Sequence, residues 1–256
     1  MEHSTFRKLR SYNLVMAGIN LAQAVLVLLL SNDLSLPVTT SFLNYFPDLD
    51  RLLPVSETLG TVRVGYLLAA FFLASATAHL IVWLPRVSAW YGRNLDRGIN
   101  YVRWYEYAVS ASIMIVVIAL LAGVYDVISL LLLFVMTALM NLFGLLMEQH
   151  NQAGKEVSWT SFVFGSIAGL VPWIAIGVYF LGSAASGEMP VYVYFVMVSI
   201  FVLFFCFALN MYLQYRAAGP WRDYLFGERI YILLSLIAKS ALAWQVFFGA
   251  LARGDY

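Results

Sequence analysis

Seven mostly apolar stretches, each of about twenty residues or more, leave this chain few ways to fold. They run approximately over 12–30, 59–84, 100–122, 127–147, 159–183, 191–215 and 228–251, with Gly, Pro and charged residues gathered in the links. Each is long enough to cross a hydrocarbon core about 30 Å thick as a helix. A lipid-exposed segment must satisfy its own backbone hydrogen bonds, so the expected fold is an all-α, seven-transmembrane-helix bundle in one domain spanning 1–256. Composition agrees: 62% of the 256 residues are hydrophobic and 11% charged. Membrane lipid is therefore the expected surroundings. A net charge of +1 without a basic tract gives no footing for nucleic acid. The single cysteine, Cys206, excludes an intramolecular disulfide, and His3 and His150 fall outside the spans, too few ligands for a buried metal site.

The first apolar stretch lacks a small-residue cleavage pattern and reads as a retained helix. The longest link, Ser31 to Thr58, carries Pro37, Pro47 and Pro54, and its alternating stretches such as Val38 to Leu43 predict a small β-hairpin. Lysines and arginines divide eleven to three between the two sides, with Arg7, Lys8, Arg10, Arg86, Arg93, Arg97 and Lys155 among the eleven and Arg51, Arg63 and Arg253 opposite. The positive-inside rule then places the N-terminus in the cytoplasm and the C-terminus outside, in the cell membrane. That is opposite to the common seven-helix receptors and light-driven pumps.

Lys239 sits halfway along the last apolar stretch. A charge at that depth costs at least ~3 kcal/mol on insertion scales, and by default marks function. Snorkelling does not rescue it: Glu228 lies 11 residues away, roughly 16 Å along a helix against a side chain of about 6 Å. Among the carboxylates, Glu106 alone falls well inside a span, while Asp126, Glu148 and Glu228 fall at helix ends where water is expected to reach them. Ser110 shares a helix face with Glu106, as Ser235 does with Lys239. The competing reading pairs Glu106 with Arg103 one turn earlier, which would leave Lys239 without an anion.

His79, Ser75, Gln23 and Asn141 are further polar residues at comparable depth. A role beside the charged pair is one reading for His79; packing and interhelical hydrogen bonds are the other for all of them. A desolvated lysine forms an imine with an aldehyde, and a hydrophobic aldehyde needs a long apolar slot. Met140, Trp173 and Phe204 are chosen for that slot by helix and depth from an abundant set of aromatics and methionines.

The segments Ser235-Leu-Ile-Ala-Lys239-Ser-Ala-Leu-Ala-Trp-Gln245 and Asn100-Tyr-Val-Arg-Trp-Tyr-Glu106-Tyr107 resemble those of the heliorhodopsins. The resemblance covers the whole chain and includes the inverted topology obtained above from charge. It implies all-trans retinal on Lys239 as a protonated Schiff base with Glu106 as counterion. It also implies a polar cavity with His79, Ser75, Asn100 and Tyr107, Gln23 at a position that varies, and Ser110 and Ser235 hydrogen-bonding near the imine. A homodimer, a hairpin folded over as a small sheet, and a slow photocycle without pumping belong to the same implication.

The residues themselves bear on transport. The residue 11 after Glu106 is Val117, where light-driven proton pumps carry a donor, and Ile113 to Leu121 is wholly apolar. The expected function is light sensing, with a light-gated or light-driven proton or ion transporter as the alternative. A membrane enzyme or carrier using Lys239 without retinal is a third reading. A cytoplasmic signalling partner would dock on the loops at Arg86 to Arg97 or Glu148 to Glu156.

Overall fold

The computed structural model describes residues 3–152, 156–187 and 190–251, with side chains from Lys8 onward. Lys155 and Arg253, which enter the charge count, lie outside these residues. The chain begins with helix α1 (His3–Leu30), followed by strands β1 (Ser35–Phe46) and β2 (Arg51–Arg63). Seven more helices complete it: α2 (Val64–Trp83), α3 (Pro85–Asp96), α4 (Tyr101–Leu121), α5 (Val127–His150), α6 (Thr160–Ser186), α7 (Val191–Tyr215) and α8 (Tyr224–Val246). All but α3 are long and apolar enough to cross a membrane, the last span continuing through a π turn to Leu251.

Side-chain burial is arranged for lipid. Ile174, Val178, Leu181, Val198 and Val202 are exposed on α6 and α7, where water would penalise them and hydrocarbon does not. Local chemistry sets several boundaries. Asn100, Asp126 and Asp223 each cap a helix by accepting a backbone N–H, from Arg103, Ser129 and Leu225. Pro172 sits inside α6, a position that membrane helices tolerate where neighbours resatisfy the backbone.

The hairpin forms, and it is larger than the sequence suggests. β1 and β2 pair antiparallel from Ser35↔Arg63 to Phe46↔Arg51, with an irregularity between Val38 and Thr39. The second span therefore begins at Val64: residues 59–63 belong to β2, because their alternating pattern finds a partner in β1. Thr39 N–H donates to Tyr125 O at 2.8 Å, tying the sheet to the start of α5. The link between the second and third spans also differs from the expected loop. Pro85 opens α3, an amphipathic helix that buries Ser88, Tyr91, Gly92 and Leu95 and exposes Arg86, Trp90 and Arg93.

The two halves of the bundle differ in content. Toward the hairpin, Ile115, Val117, Ile118 and Leu120 of α4 are buried against Leu68, Phe71 and Phe72 of α2 and Leu242 and Val246 of α8. Toward the other end the core holds Arg103, Glu148, Glu228, Asn100 and Asn13.

Candidate functional site

Lys239 is 2% exposed, and its position on α8 follows from the i, i+4 rule: the ammonium Nζ donates to Ser235 Oγ at 2.6 Å. Across the bundle, Glu106 Oε1 lies 3.2 Å from Nζ. Ser75 on α2 donates to the same oxygen at 2.6 Å. Three helices thus converge on one ion pair, and Tyr107 lays its ring 5.3 Å from the nitrogen. At such burial each charge is stabilised by the other.

Lys239 also lines a cavity of about 440 Å³ walled by residues of α4, α5, α6, α7 and α8. Part of its wall is aromatic: Trp173 stands edge-on to Phe201 and Phe204, at 5.2 and 5.5 Å between centroids. Met140, Asn141 and Tyr107 line it as well. Glycine creates part of the room. A Cβ on Gly144 would collide with the Trp104 ring, and one on Gly169 with the Met140 thioether. The volume lies within the roughly 300–1,000 Å³ typical of small-molecule sites. An apolar slot of this size with one amine at its wall fits a hydrophobic aldehyde such as retinal.

A second, small cavity of about 30 Å³ is lined by Glu106, His79, Asn13, Tyr91, Asn100, Arg103 and Ser235 among others. It has room for about two waters. His79 Nδ1 is 2.8 Å from Asn13 Oδ1 on α1, so this histidine faces the cavity through a hydrogen-bonded ring.

The sequence-predicted residues separate into those brought together and those not. Ser75, Ser235, Tyr107 and His79 surround the Lys239–Glu106 pair. Asn141 donates to Thr137 O at 2.9 Å and Tyr107 O at 3.4 Å, while lining the larger cavity. Asn100 lines the smaller cavity, but its amide is committed to Glu228 and Tyr91. Ser110 Oγ is buried with no hydrogen-bond partner among the described residues. Gln23 lies elsewhere: its Oε1 accepts from Ser240 at 2.8 Å and Trp244 at 3.1 Å, pinning α1 to α8 beside the lysine.

One expectation is corrected, and the competing pairing of Glu106 with Arg103 is set aside. Glu148 and Glu228 are not at watery helix ends; they are 2% and 0% exposed. Arg103 does not pair with Glu106, because its guanidinium bridges Glu148 and Glu228. The rings of Tyr231 and Trp104 flank it at 4.0 and 4.5 Å. Sequence reasoning missed this cluster because each carboxylate sits in the last or first turns of a span. The available signal was that a buried arginine requires anions of its own.

No curated protein matches this chain. The heliorhodopsin family model matches residues 9–251. With seven spans around a lysine–glutamate pair, the chain belongs to the heliorhodopsin family, retinal-based light-sensing membrane proteins of photoreceptor type rather than enzymes.

Proposed function

We propose that this protein senses light through all-trans retinal carried on Lys239, with Glu106 as counterion, and signals rather than pumps. One observation carries the reading: Lys239 Nζ is 3.2 Å from Glu106 Oε1 while lining an aromatic cavity of about 440 Å³. Retinal, when bound, supplies visible absorption and a double bond that isomerises in light. The protein supplies the rest. Lys239 offers a desolvated amine for the imine link. Glu106 stabilises positive charge on that nitrogen, and Ser75 holds the carboxylate in place. Trp173, Phe204 and Met140 give the slot its apolar walls.

Sensing is favoured over transport by the contrast along α4. Beyond Ser112 its buried residues are Met114, Ile115, Val117, Ile118, Ala119 and Leu120, with no titratable group to relay a proton toward the hairpin. The exposed Arg86, Arg93, Arg97, Arg216, Arg222 and Arg229 gather at the opposite end. This favours a cytoplasmic N-terminus in the cell membrane. A cytoplasmic signalling partner would dock there, on the α3 segment or the loop after α5. The hairpin exposes Phe42, Leu43, Tyr45, Phe46 and Leu52, an apolar surface suited to a second copy of the chain in a homodimer.

The test is the visible absorption spectrum of protein expressed with and without all-trans retinal, followed by hydroxylamine bleaching in light. A retinal-dependent band that bleaches is the expected result. Folded protein without a band would refute the assignment, and stationary photocurrents would move the protein to the transporters.

A further inference from the structure

Helix α3 is held at both ends by membrane spans. Leu84 alone separates it from Trp83, the last residue of α2, and Arg97 to Asn100 join it to Tyr101, the first of α4. Its 12 residues cover about 18 Å, so a helix tied this closely to two span ends stays near the bilayer surface. The Trp90 ring stands 5.7 Å from that of Tyr101, which brings the middle of α3 beside the first turn of a span.

Burial fixes how the helix is turned. Ser88, Tyr91 and Leu95 are buried, the last two in a cluster with Leu9 of α1 and Val82 of α2. Asn100 Nδ2 donates to Tyr91 OH at 3.2 Å. The opposite side carries Arg86, Trp90, Arg93 and, at the C-cap, Arg97, all exposed. Their spacing of i, i+4, i+7 and i+11 sets them in one stripe, three guanidiniums around one indole. None of these arginines makes an ion pair with a described carboxylate. Asp96 is the one acid on α3, so the face is net positive. Near its start, Arg10 of α1 donates to Trp83 O at 3.0 Å and lies 5.2 Å over the Trp83 ring.

We propose that the exposed side of α3 is a docking surface for anionic phospholipid headgroups. Guanidinium pairs bidentately with phosphate, which gives Arg86, Arg93 and Arg97 their role. Tryptophan favours the headgroup level of a bilayer, where its ring meets apolar atoms and its N–H meets water. Trp90 sits there, between the arginines. A zwitterionic lipid offers the same phosphate but carries a cation of its own, so acidic lipid is preferred. A soluble signalling partner is then left the loop after α5.

The experiment is electron paramagnetic resonance of the full chain in phosphatidylcholine bilayers, with a trace of spin-labelled phosphatidylglycerol or spin-labelled phosphatidylcholine. Both leaflets carry the probe and no retinal is added, so the outcome is independent of orientation and chromophore. Wild type should immobilise phosphatidylglycerol preferentially. The preference should fall at least about twofold in Arg86→Gln/Arg93→Gln/Arg97→Gln and persist in Arg51→Gln on the hairpin. Equal immobilisation of both lipids by wild type, or a preference that the triple variant keeps, overturns the proposal. Trp90 provides a test that does not depend on the triple variant folding. Its fluorescence, taken as wild type minus Trp90→Phe, should be quenched by a nitroxide on the lipid headgroup. Quenching by aqueous iodide alone would place this face in water, open to an acidic protein, and would overturn the lipid assignment.

Discussion

Arg103 and Glu106 stand three residues apart on α4, yet they serve different buried ion clusters. The Arg103 cluster is densely bonded: a forked guanidinium, two carboxylates, two flanking rings, and further donors from Asn100, Trp104 and Tyr224. The Lys239 pair is sparse, with Ser75 and Ser235 as its hydrogen-bond partners and an apolar cavity beside it. Chemistry explains the contrast. Arginine is always charged and suits bidentate, permanent pairing. Lysine can lose its proton when buried and then act as a nucleophile. One cluster suits permanent pairing; the other suits the reactive amine proposed above.

That comparison breaks most severely at Arg103. Arg103→Leu leaves Glu148 and Glu228 without their shared cation and should destabilise the protein by about 3–5 kcal/mol, measured by thermal or denaturant unfolding in detergent. A small loss would show that the cluster is not the structural one. Lys239→Ala should lower stability less, by about 1–3 kcal/mol, since the smaller cavity gives Glu106 access to water. It should also give a folded protein with no retinal-dependent visible band; normal colour without added amine would sink the covalent assignment.

Glu106→Gln sharpens the contrast without removing the lysine. Loss of the negative charge should red-shift the visible band, or abolish it near neutral pH, as read by absorption across a pH titration. An unchanged spectrum would mean that another group is the main counterion. The smallest effect is expected at Gln23→Ala, which removes the acceptor shared by Ser240 and Trp244. About 1 kcal/mol of stability should be lost, with colour retained if Gln23 is a packing residue outside both cavities.

Much of the architecture is legible in the chain because the bilayer imposes a length and a polarity on every span. Residues such as Val191–Tyr215 match their predicted limits, since hydropathy changes sharply at both ends. Boundaries slip where another interaction competes, as at 59–63, where cross-strand pairing with β1 captures the start of an apolar run. Amphipathic α3 escaped notice because charge and Gly in a short link resemble a loop. The lysine and the mid-span glutamate stand out for an energetic reason: hydrocarbon makes each expensive alone.

By itself, then, the sequence determined seven spans, a proline-rich hairpin, and one lysine and one glutamate that had to find partners within the membrane. Helical periodicity also established which residues share a face, as with Ser235 and Lys239. Tertiary structure alone decided which faces meet. Arg103 reaches Glu148 and Glu228 across 45 and 125 residues of chain, and Gln23 reaches Ser240 across 217. Such pairings depend on how helices rotate and pack against one another, and a one-dimensional pattern carries no record of that rotation.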